Sequence, residues 1–261
     1  MLDPESSLAD GVLRLVGTRW RVDQFTYLDE DLGFVYLSAP AAANIRTIGS
    51  LQKGVAQLRD ETFNIINHRR VLNRDESLIA NPKVLGFEVF DAMLNDETVI
   101  KFAFVRDPVE RFAAVYRSHF SMNAKNGPQR KKLFEFLGMP LTENLSMLDL
   151  AELLNEEKEL IELTPQLVLQ RNLIAFDLID YHFIGKHEQW DDDYARISME
   201  VFGCETPRFD PVKDLNVDPE GQNLVLLVDD ETRAELEEIY AEDYDMLTEI
   251  EEHFPDGFAV E

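Results

Sequence analysis

The strongest constraint on the fold lies in residues 101–120, KFAFVRDPVERFAAVYRSHF. The apolar run 102–105 is typical of a strand that is buried on both faces of a parallel sheet. Pro108 ends this run and suits the first turn of a helix, and the apolar residues after it recur every three or four positions. The pattern predicts strand, tight turn and helix, with Arg106 at the carboxyl end of the strand, where open α/β sheets bind ligands. A surface arginine on a connecting loop is the alternative interpretation.

The same order of elements recurs elsewhere along the chain. Residues 33–40, GFVYLSAP, predict a strand, and residues 41–59 predict a helix from their apolar spacing. A third strand is predicted over 181–184, again followed by a helix. Strands that alternate with helices predict an α/β fold with a central parallel sheet of about four or five strands flanked by helices. A length of 261 residues suits one such domain, spanning residues 1–261.

The remaining segments are predicted as helices or loops. Residues 81–96 open with a turn signal and predict one short helix. Residues 229–254 predict a C-terminal helix with an N-cap at Asp229 or Asp230. The first thirty residues mix acidic and apolar character, and we expect an N-terminal arm or short helix there.

Composition restricts the possible partners. The formal charge is −26, which opposes binding to nucleic acids and to anionic membranes. It does not exclude an anionic cofactor, because a few arginines inside a cleft set the local potential. Cys204 is the single cysteine, so an intrachain disulfide is excluded. With no signal peptide and no apolar run of about 18 residues, we expect a cytoplasmic protein.

Four motifs in sequence order resemble those of one family. FAFVRDPVERFAAVYRS is similar to FVRDPxERxxSAYR of the carbohydrate sulfotransferases, which use 3′-phosphoadenosine 5′-phosphosulfate. Pro165-Gln166 and the stretch 181–188, YHFIGKHE, are similar to the Pro-Gln pair and the YDFIGKYE strand of that family. IYAEDYDML at 239–247 resembles its terminal helix. The resemblance covers most of the chain from residue 33 onward.

The resemblance implies a P-loop-like sulfotransferase fold and a specific reaction. A sulfuryl group would move from 3′-phosphoadenosine 5′-phosphosulfate to a hydroxyl of a saccharide or other small-molecule acceptor, without a metal. It also implies cofactor contacts from the turn between the strand predicted at 33–40 and the helix predicted at 41–59, and from the Arg-Asp-Pro unit. The implied cofactor-binding residues are Ala43, Asn44, Ile45, Arg46, Thr47, Arg106 and Arg111. The oligomeric state is left open.

Several positions depart from the motifs of that family. Its phosphosulfate loop reads PKxAGTS, and the corresponding stretch here, PAAANIR, has Ala41 in place of the lysine and Asn44 in place of the glycine. Ala114 stands where a serine would help Arg106 to bind the 3′-phosphate, and Ser118 lies one helical turn later. A sulfotransferase-fold protein that has lost catalysis and serves as a nucleotide-binding or assembly module is therefore the alternative function.

A sulfotransferase needs a base for the acceptor hydroxyl, and histidine is the usual choice near neutral pH. His68, in NIINHRRVL, is the candidate because it lies in sequence between the two predicted halves of the cofactor site. A partly exposed histidine in a basic turn is the alternative. Glu162 is a second candidate base, although it lies in an acidic, solvated stretch. The consecutive aspartates 191–193 are interpreted as helix N-terminal residues and not as a metal site.

Overall fold

The computed structural model describes residues 7–63, 71–122, 127–211, 213 and 228–260. Within these residues, four strands form one sheet in the order β1–β2–β3–β4. Strand β1 is antiparallel to β2, whereas β2, β3 and β4 are parallel to one another. The strands are β1 (Thr26–Asp29), β2 (Phe34–Ser38), β3 (Ile100–Val105) and β4 (Phe183–Lys186).

Helices cover both faces of this sheet. The connections after β2 and β3 are long and helical, as parallel neighbours require. In chain order the α-helices of the described residues are α1 (Leu8–Val16), α2 (Arg19–Phe25), α3 (Asn44–Leu58), α4 (Pro82–Leu85), α5 (Phe87–Asn95), α6 (Pro108–Val115), α7 (Pro128–Leu137), α8 (Met147–Glu156), α9 (Gln170–Leu173), α10 (Trp190–Phe202), α11 (Asp230–Ile239) and α12 (Ala241–His253). No helix among the described residues is both long and apolar enough to cross a membrane.

The two faces of the sheet carry different kinds of side chain. Successive residues of a strand point to opposite faces, and here one face is aromatic and the other is aliphatic. The aromatic face packs against α3 and α10, and the aliphatic face packs against α1, α5 and α12. The aromatic residues are Tyr27, Phe34, Tyr36, Phe102, Phe104 and Phe183, and the aliphatic residues are Leu28, Val35, Leu37, Ala103, Val105 and Ile184. Burial on both faces explains why the strands read as continuous apolar runs.

A separate helical core lies beyond the carboxyl edge of the sheet. It joins apolar residues of α6, α7, α8 and α11, including Phe112, Phe134, Leu150 and Leu236. Asp229 is the N-cap of α11, as predicted, and its side chain accepts a hydrogen bond from Thr232 N at 2.7 Å. This core supports α6, the helix that follows Arg106.

The α/β fold and its central strands are confirmed, but several boundaries differ. The segment expected as an arm contains α1, α2 and the fully buried strand β1, which makes the sheet mixed. The third strand begins at Phe183, two residues later than predicted. The helix expected over 81–96 is divided at Gly86, whose φ of 98° is incompatible with a helix. The helix expected over 229–254 is divided at Tyr240, which turns inward and donates a hydrogen bond to Leu167 O at 3.0 Å.

Candidate active site

The three parallel strands end at one edge of the sheet. Ser38 pairs with Phe104, and Val105 pairs with Lys186, so the residues after each strand lie side by side. These are the loop 39–43, Arg106 and His187. In open α/β sheets this carboxyl edge is where ligands bind. The prediction that Arg106 follows a buried strand at this edge is confirmed.

The loop after β2 turns sharply into α3. Ala41 and Ala43 have φ values of 64° and 59°, a left-handed conformation that costs a residue with a Cβ about 1–2 kcal/mol. Helix α3 begins at Asn44, and its first hydrogen bond runs from Thr47 N to Ala43 O at 2.9 Å. The amides of the first turn therefore point toward the loop, and the positive end of the helix dipole lies at the sheet edge.

Arg46 and Thr47 join α3 to the start of α10. The guanidinium of Arg46 stacks on the ring of Trp190 at 4.0 Å, and its Nη2 lies 3.3 Å from Asp191 Oδ1. Trp190 Nε1 donates a hydrogen bond to Thr47 Oγ1 at 2.9 Å. The Nε of Arg46 is buried and has no hydrogen-bond partner within the described part of the chain. A buried donor of this kind is expensive unless a ligand or water satisfies it.

Arg106 reaches from β3 to the loop before α3. Its side chain is buried, its Nη1 donates to Ala41 O at 3.2 Å, and its Nε lies 3.6 Å from Glu110 Oε2. The amide of Gln170 holds its backbone on both sides, since Arg106 N donates to Gln170 Oε1 at 3.0 Å and Gln170 Nε2 donates to Arg106 O at 2.8 Å. The two predicted halves of the cofactor site are therefore in contact.

Arg111 uses its donors on the protein itself. Its Nε donates to Pro40 O at 3.0 Å, and its Nη2 donates to Gln166 O at 3.1 Å and to Val168 O at 2.7 Å. Its Nη1 lies 3.9 Å from the carboxylate of Asp243. Burial lowers the pKa of Arg111, with Asp243 opposing that effect. Arg111 thus braces the loop after β2 against the segment that contains the Pro-Gln pair.

Asp243 explains why the terminal helix belongs to this cluster. Its carboxylate accepts hydrogen bonds from Gln170 N at 3.0 Å and from Arg171 N at 2.9 Å. Burial raises the pKa of Asp243, and Arg111 opposes that shift. The carboxylate therefore orients Gln170, whose side chain in turn holds Arg106. Three of the sequence motifs meet here as one hydrogen-bonded unit.

His187 and Glu188 begin the turn after β4. His187 is 9% exposed, and its pKa is lowered to about 3 by burial and by the charges of Arg106 and Arg46. Glu188 Oε1 accepts a hydrogen bond from Asp107 N at 3.4 Å, and burial raises the pKa of Glu188. Sequence reasoning assigned no role to His187. The available signal was positional, because His187 follows β4 directly, as Arg106 follows β3.

A family model described as the sulfotransferase family matches residues 75–248, about two thirds of the chain. The chain belongs to the sulfotransferase family. No curated protein and no solved structure matches it. The matched region includes Arg106, Gln170, His187 and Asp243, whereas the loop 39–43 and the first turn of α3 precede it.

Other polar or motif residues of the chain have different surroundings. Ala114 is buried in α6, and Ser118 lies exposed beyond the end of that helix. Glu162 forms an ion pair with Arg21 at 2.5 Å and is largely exposed. Lys53, further along α3, donates to Arg208 O at 3.1 Å. His68, the candidate base, lies outside the described residues.

Two further regions bear on ligand binding, the start of α10 and a cavity at the opposite edge of the sheet. Within the ranges that the structure describes, no group of three histidine, cysteine or carboxylate side chains is arranged to hold a metal ion. Asp191, Asp192 and Asp193 lie in the first turn of α10, as predicted. A cavity of about 350 Å³ opens at the opposite edge of the sheet, where Ile100 begins β3. Its lining includes the carboxyl-bearing residues Asp180 and Glu200, which do not suit an anion.

Proposed function

We propose that this sulfotransferase moves a sulfuryl group from 3′-phosphoadenosine 5′-phosphosulfate to a hydroxyl of a saccharide or similar acceptor. The observation that carries the proposal is the convergence of Arg46 and Arg106, from two separate strand-to-helix units, at one sheet edge. Both guanidiniums are buried in a chain whose net charge is −26. A concentrated positive charge in such a chain favours an anionic ligand at this edge.

The residues present fit a nucleotide that carries phosphate groups at two positions. The planar fork of Arg106 suits the 3′-phosphate, as the family resemblance implies. The first turn of α3 (residues 44–47) and the unsatisfied Nε of Arg46 suit the 5′ side, where a helix N-terminus favours negative charge. The donor, when bound, supplies the sulfuryl group, and the bisphosphate is the leaving group. His68 remains the predicted base for the acceptor hydroxyl.

Arg46 and Arg106 also bear on the missing lysine of the loop. Arg106 donates to the carbonyl of Ala41, the position where the resembling motif has lysine, so its charge lies beside that position. In a dry site, such fixed charge can stabilise a leaving phosphate by a few kcal/mol. We propose that Arg46, on the 5′ side, replaces the loop lysine, that Arg106 adds positive charge beside it while it binds the 3′-phosphate, and that Arg111 acts by bracing the loop.

A second candidate function is a nucleotide-binding module without catalysis. It is favoured by Ala114, which offers no hydroxyl to a phosphate and is buried in the helix packing. It is also favoured by the loop 39–43, which has Ala41 where the family motif has a lysine. The two candidates agree on nucleotide binding and differ only in the transfer step.

The test begins with binding of adenosine 3′,5′-bisphosphate. At a hundredfold excess over the dissociation constant, we expect about 2.7 kcal/mol of stabilisation, seen as a rise in Tm. Arg106→Ala should abolish this rise, whereas Arg14→Ala, an exposed position on α1, should leave it unchanged. The absence of a shift in the unsubstituted protein would disprove both candidate functions.

The transfer step is tested with sulfur-labelled donor and a panel of saccharide and small-molecule hydroxyl acceptors. Transfer that is lost in Arg106→Ala and retained in Arg14→Ala supports the enzyme. Binding without transfer to any acceptor, and without hydrolysis of the donor, would support the binding module instead.

A further inference from the structure

The turn that starts with His187 joins the two arginine-bearing elements. On one side, Trp190 stacks under Arg46 and donates to Thr47 at 2.9 Å. On the other side, Glu188 accepts from the backbone N–H of Asp107, the residue after Arg106, at 3.4 Å. His187 is the first residue of this turn and is buried. It therefore lies within the electrostatic reach of both guanidiniums.

The charges around His187 come from several elements. Arg46 of α3 and Arg106 after β3 are positive, and both disfavour a protonated imidazole. Three carboxylates lie close to these two arginines or to His187. Glu110 on α6 lies 3.6 Å from Arg106, Asp191 on α10 lies 3.3 Å from Arg46, and Glu188 is the next residue in the chain. Asp193 of α10 accepts from Lys186 N at 2.7 Å, on the residue before His187.

Phosphate groups bound at the two arginines would reverse this balance. Their negative charge offsets the guanidiniums and favours the protonated imidazole. The protonated ring also has two N–H donors, whereas the neutral ring has one. The family motif that this stretch resembles has tyrosine at this position, which does not titrate near neutral pH, so the imidazole belongs to this chain's own sequence.

We propose that His187 is a third anion-binding residue of the site and takes up a proton from solvent when the phosphate groups of the nucleotide bind at Arg46 and Arg106. The inference rests on the proposed function, because it concerns the same nucleotide site. It adds a property that the arginines alone do not have, namely proton-coupled binding. Nucleotide affinity should then increase as the pH falls, by up to tenfold per pH unit.

The test is calorimetric titration with adenosine 3′,5′-bisphosphate at pH 6 and 7, in buffers of different ionisation enthalpy. The phosphates themselves release protons, so the informative quantity is the difference between proteins. We expect the unsubstituted protein to take up about one proton more than His187→Phe and His187→Gln, by linkage. His119→Gln is the matched control, because burial alone lowers the pKa of His119. It should match the unsubstituted protein.

A second measurement does not depend on a folded variant. The chain has 5 histidines, so their ring signals can be followed by nuclear magnetic resonance as the pH is changed, with and without the bisphosphate. One histidine should titrate at a clearly higher pH in the bound protein. Binding with no extra proton uptake and no such change would overturn the role of His187 and leave the proposed function intact. An absence of binding would overturn both.

Discussion

The side-chain amide of Gln170 brackets the backbone of Arg106. It accepts from Arg106 N at 3.0 Å and donates to Arg106 O at 2.8 Å, although the two residues are 64 positions apart. Gln170 is itself fixed by Asp243, which accepts from its backbone N–H. The direction in which Arg106 leaves the sheet is therefore set by a buried hydrogen-bond chain.

Replacing Gln170 by leucine should weaken nucleotide binding. The change leaves the N–H and C=O of Arg106 buried without their partner, at about 1–3 kcal/mol each. We expect lower stability in denaturant unfolding and, in addition, at least a tenfold loss of bisphosphate affinity by calorimetry. Gln57→Leu, at an exposed position of α3, is the control. A variant that loses stability but binds normally would show that Gln170 does not position Arg106.

Removing one partner of the Arg111–Asp243 pair should be severely destabilising. Arg111→Met leaves a buried carboxylate without its guanidinium and three carbonyls without their donor, so we expect a loss of about 3–5 kcal/mol. Adding Asp243→Asn should recover part of this loss, because the amide carries no charge. The measurement is a double-mutant cycle by denaturant unfolding, and purely additive losses would contradict a direct coupling.

Stability should depend on pH through His187. Its pKa is about 3 in the folded protein and 6.5 for an unperturbed histidine, so between these limits the unfolded chain binds the extra proton. The free energy of unfolding therefore falls as the pH falls through this window, by about 1.4 kcal/mol per pH unit for one proton. His187→Phe should remove that contribution. The check compares denaturant unfolding of both proteins at pH 6.5 and 5. If the free energy of unfolding changes equally with pH in the two proteins, the prediction is refuted.

Gly185 in β4 should not tolerate a methyl group. A Cβ at this position would lie 2.4 Å from a ring carbon of Phe104 on the neighbouring strand. Gly185→Ala should then cost about 1–3 kcal/mol, because the aromatic layer has no room to shift freely. Combining it with Phe104→Leu should cost less than the sum of the two single changes. Full additivity in unfolding experiments would mean that the contact is unimportant.

The sequence alone determined the strand, turn and helix units of this protein. The apolar run before Arg106 and the periodic residues after Pro108 are local signals, because the periods of 2.0 and 3.6 residues depend on backbone geometry. A helix was predicted over 41–59 from its apolar spacing, and the observed helix α3 begins three residues later, at Asn44. An N-cap was predicted at Asp229 or Asp230 from the residue type, and Asp229 is the N-cap. The order of motifs also pointed to the family that the comparison confirms.

Only the tertiary structure decided how these units form a site. Strand β1 gains its identity from pairing with β2, and its short sequence has no strong pattern of its own. Arg111 was expected at the cofactor, but its donors lie on carbonyls more than fifty positions away in the chain. The charges around His187 come from Arg46 on α3 and from Arg106, which follows β3. No local sequence pattern shows that these residues meet. Long-range contacts set these roles, because burial and charge depend on which distant segments meet. Local periodicity contains no information about those contacts.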